Sequence, residues 1–389
     1  MKVNVSVGGL WHAPSIVTAL YKTNNLGNFY TSRPYFKLPQ TIRDIDRKSV
    51  TTYGWIELVE RISTMGLKRS MQYEKALIFD NVVSKNLSDC DIFVCWSSFG
   101  LKSIKKAKQN GAITVVERGS THIKTQDRIL KEAFEKNKLD YTEKNGAILP
   151  QIIEREQQEY ELADYISVPS SFVYKSFLEN GIDKSKLLLT PYGVKLNKYN
   201  IDRSYDKEEI NILFVGNVGF RKGIPVLLKA FEEVSKLISI KLVLVGKVDL
   251  NLSKKLTTYK NIVVKGILDK KELDEVYKSS DIFILPSVEE GMARVILEAM
   301  SFGLCPICSY NSGALDIIEE GVNGYLFEPY DDETLIKKIL ELYYDREKLK
   351  VISLNAKKRI ECFSDINYEK IILNKYKNIL RKQPNLRLG

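Results

Sequence analysis

LPSVEEGMARVILEAMSFG, Leu285–Gly303, places a proline-bearing turn between a strand-like run and a helix, and it holds two glutamates with seven residues between them. Glu290 falls in the loop, bracketed by a proline and a glycine, and Glu298 sits about two turns on among good helix formers. A carboxylate in a loop and one inside the following helix cannot form a surface i,i+4 pair. They can reach two separated points of one elongated ligand lying across the helix start. Strand-like "DIFILPS" precedes the stretch and "CPICSY" follows it, which makes it the turn and helix of a strand–helix–strand unit.

The same rhythm extends upstream to Ile210. "INILFVG", "IKLVLVG", "NIVVKG" and a last run "YLFEP" read as further strands, with helices such as "IPVLLKAFEEVSKLI" and "KELDEVYKSS" between them. Alternation of this kind predicts a doubly wound α/β domain over 196–365, with its ligand at the carboxyl ends of the strands. The polar, aperiodic stretch "TPYGVKLNKYNIDRSYDKEE" is a linker. Before it, "VNVSV", "CDIFVCWS", "AITVVER" and "YISVPS" alternate with helical segments, so a second Rossmann-like domain is expected over 1–195. Two domains suit 389 residues. The amphipathic basic tail "INYEKIILNKYKNILRK" is expected to form a helix within 366–389 that packs back toward the first domain. Chemistry is expected in the cleft between the two domains.

Composition narrows the classes. The chain is 44% hydrophobic and 28% charged, with no apolar run of membrane-spanning length. "MKVNVSVGGLWHAPS" reads as a strand and loop rather than a signal peptide, so a cytoplasmic location is expected. Cys305 and Cys308 form a C-x-x-C, but neither His12 nor His122 lies near it and a strand follows it, so core packing is the expected role. The formal charge of +10 is concentrated in the first half. A basic surface suits nucleic acid, an acidic substrate or an anionic membrane leaflet with peripheral contact on the inner face, or serves solubility alone. The aromatic and proline-bearing stretch Tyr30–Tyr73 is expected to cover an acceptor or touch such a surface. Aromatic-basic RNA signatures are absent, and no nucleic-acid partner is expected.

The phosphate candidate is "FVGNVGFRKGIPVLL", a strand, a glycine-punctuated turn with Asn217 and Gly219, then Arg221, Lys222 and a helix. N–H groups at a helix start beside two cations suit a diphosphate. Lys222 is followed by glycine rather than Ser/Thr, and the glycines are not spaced G-x-G-x-x-G, which weakens a nucleotide triphosphatase or nicotinamide enzyme. Gly291, Met292 and Ala293 are expected to open the glutamate helix with unpaired N–H groups, a second anion site. A carboxylate offers two acceptors to a vicinal diol, so Glu290 suits sugar hydroxyls and Glu298 a ribose.

These segments, with "VKGILDKKELDEVYKSSDIFILPSVEEGMARVILEAMSFG" and "NSGALDIIEEGVNGYLF", resemble the nucleotide-binding half of retaining glycosyltransferases of family 4, with the GT-B fold. The likeness is strong from about residue 163 to 330 and looser before. It implies that Glu290 contacts the donor sugar and Glu298 the ribose, and that Arg221 and Lys222 hold the diphosphate. Gly291 and Met292 would offer N–H groups, Gly266 and Ile267 would lie against the base, and Gly8 and Gly9 would approach the diphosphate from the first domain. Ser312 and Gly313 would form a glycine-rich turn beside the site. Two positions depart from the pattern: Asn217 stands where many members carry arginine, and "GMA" replaces glycine-phenylalanine-glycine.

Related enzymes carry a histidine near the donor sugar after a strand of the first domain. In "VVERGSTHIKTQ", His122 is the expected counterpart, with Arg118 and then His12 as further acceptor-side candidates. "DCD", Asp89–Asp91, mimics a D-x-D metal motif but enters a strand, and neither a metal nor a resident cofactor is expected. The expected activity is therefore retaining, metal-independent transfer of a sugar from a nucleoside diphosphate to a hydroxyl of an envelope polysaccharide, lipopolysaccharide or glycolipid. The alternatives are a nucleotide-sugar epimerase or phosphorylase on the same fold, and a non-catalytic protein binding nucleotide-sugar or nucleic acid.

Overall fold

A computed structural model describes residues 1–60, 71–143, 146–197, 199 and 203–382. Residues 61–70 of the aromatic stretch and 383–389 of the tail lie outside them.

Two parallel sheets form the frame. The N-terminal sheet has β1 (Val3–Val7), β2 (Leu26–Thr31), β3 (Val50–Thr52), β4 (Ile92–Trp96), β5 (Ile113–Glu117), β6 (Tyr165–Val168) and β7 (Leu187–Leu189), in the spatial order β3-β2-β1-β4-β5-β6-β7. The second sheet has β8 (Ile210–Val215), β9 (Ile240–Val245), β10 (Ile262–Gly266), β11 (Ile282–Leu285), β12 (Cys305–Ser309) and β13 (Tyr325–Phe327), ordered β10-β9-β8-β11-β12-β13. Each order reverses once, between β1 and β4 and between β8 and β11. That reversal leaves a crevice at the carboxyl ends where adjacent loops diverge to opposite faces. The segments after β1, β4, β8 and β11 are therefore the ones the fold holds open for a ligand.

Every residue of β1, β4, β5, β11 and β12 is buried, as expected of parallel strands covered by helices on both faces. All six strands read in the second half are present. Only four of the seven in the first half were legible. β2 begins with the half-buried "LGN", and β3 and β7 are three residues each and only partly buried, whereas the equally short β13 is buried throughout. Cys305 and Cys308 are buried on β12 among apolar neighbours.

The last helix, Asp365–Lys382, lies against the first, Ala13–Lys22, and so crosses back to the N-terminal domain. Tyr368, Ile372, Tyr376 and Ile379 form its buried face at helical spacing, and Lys22 reaches Glu369 at 3.3 Å. No described helix is long and apolar enough to cross a membrane.

Candidate donor and acceptor cleft

The carboxyl ends of the two sheets face each other across a cavity of about 960 Å³. Its C-terminal wall contains Arg221, Lys222, Glu290 and Met292–Val295, and its N-terminal wall contains Gly8, Trp11, His12, Ser97, Ser98, Arg118 and Ser120.

Lys222 ends a short 3-10 turn, Phe220–Lys222, that follows β8. Gly223 has φ +68°, and a Cβ there would overlap the Pro286 carbonyl oxygen. Glycine alone lets the turn after β8 lie on the loop after β11. This packing brings Lys222 Nζ to 2.6 Å from Glu290 Oε1. Two residues some seventy apart in sequence are thereby joined at the cavity wall. Arg221 turns the other way. Its Nη2 donates to Glu289 Oε2 at 2.7 Å and its Nε to the Glu289 carbonyl at 3.2 Å.

The glutamate helix begins later than expected, spanning Arg294–Ser301 with Ala293 as its N-cap residue. The Ala293 N–H is not available to a ligand, because it donates to the Ser312 carbonyl at 3.1 Å. Met292 is buried, and its Sδ accepts from Tyr192 N at 3.2 Å. No side chain caps this helix, and Arg294 and Val295 of its first turn line the cavity. The anion-binding N–H groups expected at 291–293 therefore move toward 294–295. A residue-by-residue reading passed over these two because an apolar run does not mark its own first turn without a capping side chain.

Glu298 lies about one turn along the helix, outside the cavity wall, and accepts from Tyr277 Oη at 3.2 Å. Burial pushes its carboxyl above the ordinary range, offset in part by Arg294 and Lys270. Tyr277 is held by stacking on Phe302, with ring centroids 5.0 Å apart. Gly266 closes β10 at φ +67°, and Ile267 beside it is 81% exposed, an apolar surface at the sheet edge. Asn217 is exposed and Gly219 half-buried, and neither lines the cavity. Ser312 and Gly313 are buried behind the site. A Cβ on Gly313 would overlap the Gly291 carbonyl, so this turn supports the loop from beneath.

On the N-terminal side, Gly8 and Gly9 follow β1, and their carbonyls accept from Ser32 Oγ at 2.9 Å and Thr31 Oγ1 at 2.7 Å. Gly8 lines the cavity, and Gly9 does not. Trp11, two residues on, is 58% exposed at φ +36° and packs its ring 5.7 Å from Phe99. Arg118 is fully engaged: Nε donates to Thr121 O at 3.0 Å, Nη2 to Gln126 Oε1 at 2.8 Å, and Nη1 pairs with Glu156 at 2.9 Å. It is a strut of the wall rather than a spare cation.

The histidine expectation is reversed. His122 is the N-cap residue of the Ile123–Lys136 helix, its Nδ1 accepting from Lys124 N at 3.3 Å. Its ring packs between Tyr160 and Phe177 and does not line the cavity. Burial first, then Arg118 and Lys124, depress its pKa to about 4. Sequence position after β5 could not separate a capping histidine from a cleft histidine. His12 does line the cavity. Its Nε2 lies 3.3 Å from Glu117 Oε2, and its ring lies 4.4 Å from Tyr192 and 4.9 Å from Trp96. Asp89 and Asp91 precede β4 at the end of the sheet remote from the cavity. Asp91 accepts from Lys2 N at 2.6 Å and Asp89 from Asn110 at 3.2 Å. No metal-ligating cluster is found among the described residues.

Residues 198–359 match the family model of glycosyl transferases group 1. Over these residues the C-terminal domain is similar to group 1 glycosyl transferases. The matched stretch carries the loop–helix glutamates, the Lys222 turn and the exposed edge at Ile267. Across nearly its whole length the chain superposes on sucrose-phosphate synthase from Thermosynechococcus elongatus, with TM-score 0.71 and 16% identity over 98% of this chain and 100% of that one. The two-domain frame is thus GT-B. Among curated relatives, the sulfoquinovosyl transferase of Arabidopsis thaliana is 32% identical over 51% of this chain and 41% of its own. The capsular polysaccharide biosynthesis glycosyltransferase CapM of Staphylococcus aureus is 26% identical over 51% of this chain and 57% of its own. The chain spans about half the length of the curated relatives it matches.

Proposed function

We propose that the protein is a retaining glycosyltransferase that moves a sugar from a nucleoside diphosphate to a hydroxyl acceptor of an envelope polysaccharide, lipopolysaccharide or glycolipid. The observation that carries this is the Lys222–Glu290 pair, 2.6 Å apart where the C-terminal domain meets the cleft, with Glu298 about one turn along the adjoining helix. A nucleotide-sugar offers each member a better partner. Its phosphate oxygens take Lys222, its sugar hydroxyls take Glu290, and its ribose reaches Glu298 beyond the cavity wall. The base lies against Ile267.

In the reaction, the bond from the anomeric carbon to the phosphate oxygen breaks while the acceptor oxygen bonds to the same face of that carbon. The acceptor proton passes to the departing diphosphate. Lys222 and the N–H groups at the start of the Arg294 helix offset the charge that develops there, a role open to fixed cations and dipoles without a metal. The curated relatives, a sulfoquinovosyl transferase and a capsular polysaccharide enzyme, favour an envelope glycan or glycolipid acceptor. Contact with an anionic membrane leaflet fits the +10 charge. The test is to incubate the protein with UDP-, GDP-, ADP- and dTDP-sugars, with and without glycan acceptors. Transfer with retention of anomeric configuration supports the proposal. Conversion of a donor to its epimer without acceptor, or no turnover of any donor, refutes it.

A further inference from the structure

The two domains meet behind Lys222 at one carboxylate that the sequence reading did not single out. Glu289 is fully buried. Its Oε1 accepts from Thr121 N at 2.9 Å and Thr121 Oγ1 at 3.0 Å. Its Oε2 accepts from Gln126 Nε2 at 3.0 Å and Arg221 Nη2 at 2.7 Å. Thr121 and Gln126 belong to the N-terminal domain, whereas Arg221 and Glu289 belong to the other. Four donors from two domains thus converge on one side chain. Burial alone would raise its pKa, but Arg221, the Thr121 N–H, Arg118 and Gln126 together hold it below the ordinary carboxylate range. It is an ion in the folded protein, and its acceptor capacity is spent inward.

Arg221 is fixed by the same contacts. Glu289 holds its Nε and Nη2 edge, and Ser120 Oγ of the opposite domain lies 3.5 Å from Nη2. Among the described residues no hydrogen bond is found for Nη1, and Arg221 lines the cavity beside Lys222. We propose that Glu289 is a positioning residue: it aims the remaining edge of Arg221 at the donor diphosphate and makes that aim depend on docking of the N-terminal domain. The donor site is then complete only when the cleft is closed. This rests on the donor reading above. A purely adhesive role is the alternative, and the structure supplies its comparator. Asp316 also crosses between the domains, accepting from Ser171 N at 2.7 Å, and has no hydrogen bond or ion pair with Arg221 or Lys222.

The test compares Glu289→Gln with Asp316→Asn in the full chain, using whichever of UDP-, GDP-, ADP- or dTDP-glucose the wild type hydrolyses or transfers fastest. Glu289→Gln is expected to lower kcat about 100-fold with little change in donor KM, as misplaced catalytic groups do. Gln126→Leu should lower kcat in the wild type and add nothing on top of Glu289→Gln, the signature of one shared network. Asp316→Asn should keep wild-type kcat. Equal losses in Glu289→Gln and Asp316→Asn, or an unchanged kcat in Glu289→Gln, overturn the proposal. Should Glu289→Gln not fold, the Thr121→Val/Gln126→Leu double variant takes its place, since it removes N-terminal donors and leaves the Arg221 pair intact. If the wild type turns over none of the four, the donor reading fails, and small-angle scattering without ligand judges Glu289 separately. A larger radius of gyration in Glu289→Gln supports the domain tie, and an unchanged profile overturns it.

Discussion

Glu289 and Glu290 are adjacent and chemically alike, yet one is buried against the opposite domain and the other faces the cleft with Lys222. Sequence spacing singled out Glu290, Glu298 and Lys222 because all three come from one domain, from two neighbouring loops and the helix that follows one of them. It could not identify Glu289, whose partners Thr121 and Gln126 come from the other domain. The same limit misled the reading of His122, whose surroundings, Tyr160 and Phe177, are likewise distant in sequence. A sharp prediction follows for that side chain. Its folded pKa of about 4 lies below the ordinary value of 6.5, so the neutral ring is favoured by folding. Its contribution to stability is present above about pH 6.5 and is lost as pH falls through about 4. His122→Asn keeps a side chain able to cap the helix but cannot take up that proton. Its melting temperature should therefore fall less steeply between pH 6.5 and 4 than that of the wild type, while turnover at pH 7.5 stays within the range of its folded fraction. A large loss of kcat in fully folded His122→Asn would return the ring to the catalytic list. For Lys222→Ala the expectation is opposite, a kcat loss of about 100-fold or more in a folded protein, because a fixed charge facing the leaving group is removed.

Among the elements, the six strands of the second sheet were legible because each is a short run rich in apolar residues; β8, β9, β11, β12 and β13 are largely or wholly buried, and β10 is closed by Gly266. β2, β3 and β7 were not, since their length and partial exposure leave no period to detect. The start of the glutamate helix was misplaced by up to three residues for a related reason. The Ser312 carbonyl claims the Ala293 N–H, a tertiary contact that delays the helix to Arg294. Gly223 shows how an element's position depends on one backbone. Replacing it with alanine imposes a left-handed conformation on an L-residue and a clash with the Pro286 carbonyl. Gly223→Ala should lose more than about 1 kcal/mol in urea unfolding. Turnover per folded molecule should fall too, because Lys222 is displaced. Unchanged stability would mean that the turn after β8 does not rest on the loop after β11.

At the scale of the molecule, two doubly wound domains and a returning terminal helix were readable from pattern alone. The contact between the domains was not, because no local periodicity encodes it. That contact is close. A Cβ on Gly291 would overlap the carbonyl oxygen of Gly119 in the opposite domain, and Ser170 Oγ donates to the Gly291 carbonyl at 2.5 Å. Gly291→Ala should therefore hold the cleft open, raising the radius of gyration in scattering and lowering turnover while each domain keeps its secondary structure. An unchanged scattering profile would show that the domains can meet without that approach. Closure matters only if a nucleotide-sugar is what the cleft closes on. Titration calorimetry of UDP-, GDP-, ADP- and dTDP-sugars into wild type and Glu298→Ala tests that directly. One nucleotide class should bind the wild type and bind Glu298→Ala about tenfold or more weakly, the cost of an unpaired ribose diol. Absence of binding heat from every donor, or equal affinity in both proteins, would contradict the account.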